Sequence, residues 1–286
     1  MSGTAGDMKG KTVVITGATS GIGRVATERV AALGARLVLV ARIRAKGAAF
    51  LGNLRADHPG IDVQIHYADL SSLTEILRLA PALLHAAPRI DVLLNNAGAI
   101  FNRRETTEDG LERTFALNHM GYFLLTNLLL DRLKASAPSR IVSVASEAHR
   151  GVSLDFDDLQ MQRGYGGWLA YRRSKLANIL FTRALAKRLA GTGVTANCLH
   201  PGFVATEFGD NNRGMFRAAI NLAKRFMAIA PEQGGETSVY LASSPEAADI
   251  SGEYFDKCKP RAPSAAAQDD QAAERLWRES AGLAGL

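Results

Sequence analysis

Thr12-Val13-Val14-Ile15-Thr16-Gly17-Ala18-Thr19-Ser20-Gly21-Ile22-Gly23 joins an apolar run to three spaced glycines and the start of a helical pattern. An uninterrupted apolar run suits a strand covered on both faces. Gly17, Gly21 and Gly23 then permit a tight turn and close backbone approach. A helix opening at that point offers unpaired N–H groups to an anion. The spacing is G-x-x-x-G-x-G and differs from the general dinucleotide fingerprint G-x-G-x-x-G. A glycine-rich turn alone is often only a turn. Its place directly after the first strand favours a phosphate cradle, with Gly17, Ser20, Gly21, Ile22 and Gly23 as candidate cofactor contacts.

Outward from this segment, apolar runs alternate with helical periodicity. Strands are expected at 12–16, 36–41, 61–67, 90–95, 140–145 and 194–199, and helices at 22–33, 44–56, 71–86, 108–135 and 167–190. Such alternation predicts an α/β fold with a doubly wound, mainly parallel sheet and helices on both faces, in a single domain over 11–258. Residues 1–10 read as an N-terminal extension. Residues of about 203–230 read as an insertion with its own amphipathic helix. Residues 259–286 read as a tail, irregular over 259–267 and closed by a short helix over 274–283.

The net charge of +6 comes from scattered arginines, so the basic stripe that nucleic-acid binding needs is missing. The start of the chain has no apolar core of a secretory signal, and no stretch approaches the ~18 apolar residues of a membrane span. Cys198 and Cys258 lie far apart without metal-ligand spacing. A reduced, cytoplasmic setting without a metal site is therefore expected.

The second strand ends Val40-Ala41-Arg42. A carboxylate at this place would hold the free ribose hydroxyls of NAD. None is present, and Arg42 can offer a planar fork to a 2′-phosphate, so NADP is expected in preference to NAD. Arg44 and Lys46 are read as a solvated helix face.

Tyr171, Ser174, Lys175, Asn178 and Thr182 form a polar stripe on a helix otherwise rich in Leu176, Ile179, Leu180, Phe181 and Leu185. Tyr171 and Lys175, four apart, share a face. A neighbouring ammonium favours phenolate, so Lys175 is expected to draw the Tyr171 phenol below its usual value of about 10. That would let it exchange a proton near neutral pH.

With these motifs the chain resembles the short-chain dehydrogenase/reductase family, from about Lys9 to Phe255. The resemblance also rests on Asp69-Leu70, on Asn95-Asn96-Ala97-Gly98, and on Asn118 within Leu117-Asn118-His119-Met120-Gly121. Ser146 directly after the fifth strand and Pro201-Gly202-Phe203-Val204-Ala205-Thr206 complete it. It implies a Rossmann fold and an enzyme that transfers a hydride between NADP and a carbonyl or alcohol. Tyr171 would be the general acid in reduction and the base in oxidation. Lys175 would tune it and hold the nicotinamide ribose, Ser146 would hold the substrate oxygen, and Asn118 would hold a relay water. Ser143 is a rival for the serine role. Asp69, Leu70, Asn95, Ala97, Gly98, Pro201, Gly202, Val204 and Thr206 would line the cofactor pocket.

The long gap between Ser146 and Tyr171, with Asp155-Phe156-Asp157-Asp158-Leu159, resembles the retinol dehydrogenase branch. So do Ser251-Gly252-Glu253-Tyr254-Phe255 and Arg275-Leu276-Trp277. Many animal members of that branch carry an N-terminal membrane anchor. None is read here, so the branch does not assign a retinoid substrate. Met215, Phe216, Ile220, Phe226 and Met227 would give the insertion an apolar side over a small, apolar substrate. Two other readings are a C=C reductase with the same Tyr-Lys pair and a non-catalytic NADP-binding regulator. Family members often pair through the helices expected at 108–135 and 167–190, so a homo-oligomer is possible. The tail would cover that surface or the substrate pocket.

Overall fold

Val13, Val14 and Ile15 are all buried, as a strand with helices on both sides requires. The computed structural model describes residues 5–202 and 231–286. Six strands run in parallel register: β1 (Thr12–Thr16), β2 (Arg36–Ala41), β3 (Val63–Tyr67), β4 (Val92–Asn95), β5 (Ser139–Val144) and β6 (Val194–His200). β7 (Tyr254–Asp256) extends the parallel set, and β8 (Lys259–Pro260) pairs with it antiparallel. The order β3-β2-β1-β4-β5-β6-β7-β8 reverses direction between β1 and β4. In open α/β sheets the crevice beyond the strand ends at such a reversal is where ligands bind.

The two-residue period of a strand sorts the core into two layers. Val14, Val38 and Leu93 face one side, with α3 (Leu73–Ala86), α5 (Gly121–Ala135) and α6 (Gly167–Arg188). Val13, Ile15, Leu37, Leu39 and Leu94 face the other, with α1 (Gly21–Ala32), α2 (Arg44–Asp57) and α7 (Pro231–Ser243). Among the described residues no helix is long and apolar enough to cross a membrane.

Three elements depart from the expectation. The helix expected from 108 begins at Arg113, because Gly110 takes φ +79° and the Glu112 carboxylate caps the next turn. It accepts the N–H groups of Thr114 and Phe115, both at 2.7 Å. The chain then runs through α4 (Arg113–Phe115) and a π-helical turn (Ala116–Met120) into α5. The third strand starts at Val63 because Ile61 is in a turn, its N–H donating to the His58 carbonyl. The tail is more ordered than expected. Lys259–Pro260 forms a strand, which proline tolerates at a sheet edge.

The closing helix, α8 (Asp270–Ala284), starts earlier than read, at an Asp269 cap, and ends at Gly285 with φ +69°. It covers the outer face of α5 and α6. Trp277 stacks on Phe181 and meets Phe123 edge-on, and Glu274 pairs with Arg188, whose guanidinium lies 4.0 Å above the Trp277 ring. Ser280 reaches His119 at 2.7 Å.

Candidate active site

β1 delivers its last residue to the reversal of the sheet. There the Thr16 hydroxyl accepts the N–H groups of Asn96 (2.9 Å) and Ala97 (3.1 Å). The Asn96 amide returns two hydrogen bonds, to the carbonyls of Thr16 (2.9 Å) and Gly17 (3.1 Å). This lacing brings the two loops so close that side chains are excluded. A Cβ on Gly17, itself at φ +66°, would lie 2.8 Å from Ala97 Cα, and one on Gly23 would lie 2.2 Å from the Gly17 carbonyl oxygen. Ser20 occupies the cap position of α1, but no side chain caps the helix and its first turn holds no acid. Its N–H groups are thus available to an anion.

From this cradle a cavity of about 460 Å³ runs to Tyr171 and Lys175. It is lined by the expected Gly17, Ser20, Gly21, Ile22, Gly23, Arg42, Asp69, Leu70, Ala97, Gly98 and Pro201. Asn95 does not line it. Its side chain is buried and donates to Thr126 Oγ1 at 2.9 Å, bracing α5 against β4. The neighbouring Asn96 lines the cavity instead, and so does Lys46, which had been read as a solvated residue. Arg44 turns away to lie 4.8 Å from the Tyr67 ring centroid. Gly202 follows Pro201 with φ +84°. Val204, Thr206 and the apolar residues expected over the substrate lie outside the described residues.

At the β2 end of the cavity, Arg42 is half-exposed and 3.9 Å from the Asp69 carboxylate. Arg113 approaches the same oxygen at 3.9 Å, and the other Asp69 oxygen accepts the Ser71 N–H and hydroxyl. The Arg42 fork is thereby held beside the cavity by a carboxylate that is itself well partnered.

At the other end, α6 places Tyr171 and Lys175 one turn apart. Lys175 is buried and its ammonium donates to the Val144 carbonyl at 2.7 Å. Its nitrogen lies 5.7 Å from the ring centroids of both Tyr171 and Tyr122. Ser146, just past β5, hydrogen-bonds the Tyr171 side chain and caps the 3₁₀ turn Glu147–His149. Ser143 is buried within β5.

Lys175 does not draw the phenol down as expected. Burial pushes Tyr171 up to about 12, with the Ser146 hydrogen bond pulling the other way. Burial also lowers Lys175 to about 7. Loss of hydration disfavours the charged form of each, phenolate and ammonium alike, so the two shifts run in opposite directions.

Asn118 sits in the π-helical turn, a common mark of functional sites. Its amide donates to the Ala99 carbonyl and to Ser174 Oγ and accepts the Ala99 N–H, all at 2.9 Å. Gly98 fits between Asn118 and Lys175: a Cβ there would lie 3.2 Å from Asn118 Oδ1 and 3.5 Å from Lys175 Nζ. Tyr171, Lys175 and Ser146 thus meet, with Asn118 across Gly98 from the lysine.

The sequence profile described as short chain dehydrogenase matches residues 11–215, from the first strand through the Tyr-Lys helix. The chain belongs to the short-chain dehydrogenase family. It is therefore an oxidoreductase of a family that works with a nicotinamide cofactor, and the glycine cradle with the cavity that runs from it to Tyr171 fits such a group. Human Retinol dehydrogenase 13 is 45% identical over 282 residues, covering 97% of this chain and 85% of that protein. Human Retinol dehydrogenase 14 is 43% identical over 299 residues, covering 99% and 89%. A crystal structure from Mycobacterium Paratuberculosis superposes with a TM-score of 0.79 at 33% identity, over 98% of this chain and 96% of that one. The Pseudomonas aeruginosa RhlG/NADP active-site complex gives 0.69 at 27% identity, over 87% and 95%.

This short-chain dehydrogenase also carries a cluster that sequence reasoning missed. Glu147, next to Ser146, binds Arg150, accepts the Tyr254 hydroxyl at 3.0 Å and lies 3.5 Å from Arg261. Burial raises its carboxyl, but the hydrogen bonds from Arg150 and Tyr254 and both arginine charges outweigh this and hold it below the usual range. His149 Nε2 accepts the Ser264 N–H at 3.0 Å, so the ring proton resides on Nδ1 and is donated to the Ser146 carbonyl at 2.7 Å. The contacts from Tyr254, Arg261 and Ser264 come from more than a hundred residues away along the chain, and no local motif announces them.

Proposed function

We propose that the chain is an NADP(H)-dependent oxidoreductase that interconverts a carbonyl and an alcohol on a small apolar substrate. The observation that carries this is the meeting of Tyr171, Ser146 and Lys175 at one end of a cavity whose other end is the glycine cradle. NADP is favoured by Arg42, held at the end of β2 where no carboxylate follows, and by the likeness to a structure solved with NADP. The names of the two human relatives favour alcohol and carbonyl chemistry.

In this reading the cofactor, when bound, supplies the hydride in reduction and takes it in oxidation. Tyr171 gives its phenolic proton to the substrate oxygen as the carbonyl carbon gains hydride, and the product is the alcohol. Ser146 holds that oxygen and steadies the negative charge developing on it. Lys175, anchored on Val144, holds the ribose side of the cofactor and lies close to the phenol. Asn118, across Gly98 from Lys175, would hold a relay water. A phenol at about 12 is protonated at neutral pH, the form that a proton donor in reduction requires. Oxidation needs further positive charge nearby to draw the proton off.

The test is a screen of aldehydes, ketones and secondary alcohols with NADPH or NADP, followed at the nicotinamide absorbance. Aldehyde- or ketone-dependent oxidation of NADPH is expected. Reduction of a C=C bond alone, or NADH strongly preferred over NADPH, would overturn the assignment.

A further inference from the structure

Trp168 is the third residue before Tyr171 on α6, so both project from the same side of the helix's first turns. Their rings stack, with centroids 5.6 Å apart and planes 22° from parallel. Trp168 is nevertheless 49% exposed, whereas Trp277 packs against the core. A single exposed apolar residue is ordinary on a protein surface. One stacked on the phenol that meets Ser146 and Lys175 is placed at the chemistry. The start of the helix that carries it is held against the cavity wall. Gly167 lets the start of α6 abut the 101–102 loop so closely that a Cβ would lie 2.3 Å from the Phe101 carbonyl oxygen, and Phe101 itself lines the cavity. The indole therefore stands beside the reacting end of the cavity, with surface left to meet a flat group attached to a carbonyl at Tyr171.

Resting on the reading of Tyr171 as proton donor, we propose that Trp168 is a specificity-determining residue. Its indole forms a wall that selects substrates with a flat aryl group a short chain away from the reacting carbon over saturated ones of equal size. An indole attracts such a group through offset or edge-to-face stacking as well as by area. A puckered ring gains the area alone.

The experiment compares 3-phenylpropanal with 3-cyclohexylpropanal, which share the carbonyl, the linker and a six-membered ring. kcat/KM is measured with saturating NADPH for wild type, W168F and W168A. Wild type is expected to favour the phenyl compound about two- to ten-fold, the range of one aromatic pair beyond its buried area. W168F keeps most of that ratio. W168A brings it to about one, mainly by raising KM for the phenyl compound. A Trp168 that only props Tyr171 would lower both substrates alike and leave the ratio in place. That result overturns the proposal, as does a wild-type ratio of one. If wild type turns over neither aldehyde, nor propanal, it is the carbonyl-reductase reading that fails, and binding then decides. Quenching of tryptophan fluorescence by 3-phenylpropan-1-ol in wild type, lost in W168F where Trp277 alone emits, supports the role of Trp168. An equal response in both proteins overturns it.

Discussion

Lys175 donates to the carbonyl oxygen of Val144 at 2.7 Å, and this bond ties the helix of Tyr171 to the end of the strand that leads to Ser146. The lysine is buried, and burial lowers it to about 7 from 10.5. Unfolding therefore binds a proton between these two values. Stability should rise with pH across about 7 to 10.5, by at most about 1.4 kcal/mol per unit, and the full penalty applies below 7. Urea midpoints of wild type and Lys175→Met across this window provide the check. The difference between the two curves should slope upward, and a flat difference would show that Lys175 titrates normally in the folded protein.

Tyr171→Phe removes the proton but little of the cavity wall. Turnover is expected to fall about 10²-fold or more, the usual loss for a positioned acid, with NADPH affinity nearly unchanged. Steady-state rates and a fluorescence titration of NADPH measure the two sides. Turnover near wild type with intact cofactor binding would remove Tyr171 from the mechanism.

Arg42→Ala should weaken NADP by about ten- to a hundred-fold and leave NAD almost untouched, since a hydrogen bond to a charged group contributes roughly 1.5–3 kcal/mol. Ala41→Asp combined with Arg42→Ala should reverse the preference, because the new carboxylate accepts from free ribose hydroxyls and repels a phosphate. Dissociation constants for both cofactors decide it. Equal weakening of the two would place Arg42 on the adenine or the fold.

Two glycine-to-alanine changes should act in opposite directions. At Gly23 the new Cβ meets the Gly17 carbonyl at 2.2 Å and the Asn96 amide at 2.3 Å, so the cradle must shift at a cost of about 1–3 kcal/mol. NADPH affinity and melting temperature should both fall. At Gly52, exposed on α2, nothing lies within 4 Å, and alanine should stabilise by about 0.5–1 kcal/mol. Retained affinity in Gly23→Ala would mean that the cradle yields more easily than its lacing suggests.

The strands were legible because burial on both faces writes continuous apolar runs, and the Tyr-Lys pair because helical spacing places both on one face. The phase at a strand end was not. Asn95 and Asn96 are chemically identical neighbours, and only the sheet decides that one meets Thr126 and the other the glycine turn. Glu112 suits a helix interior as well as a cap, which hid the true start of α4. The direction of the Tyr171 shift depends on how deeply the phenol is buried, a quantity that spacing does not carry. β8 is two residues long and holds a proline, so no pattern marks it.

The anchors of the Ser146 loop bear on the order in which the protein is made. Thr16, Asn96 and the glycines that shape the cradle all lie in the first hundred residues, whereas Tyr254, Arg261 and Ser264, which grip Glu147 and His149, come near the end. Along the chain the glycine cradle has its lacing residues long before the Ser146 loop has its fastenings. The turn that would cradle a phosphate is thus emitted early, and the clasp on the reacting loop is emitted last.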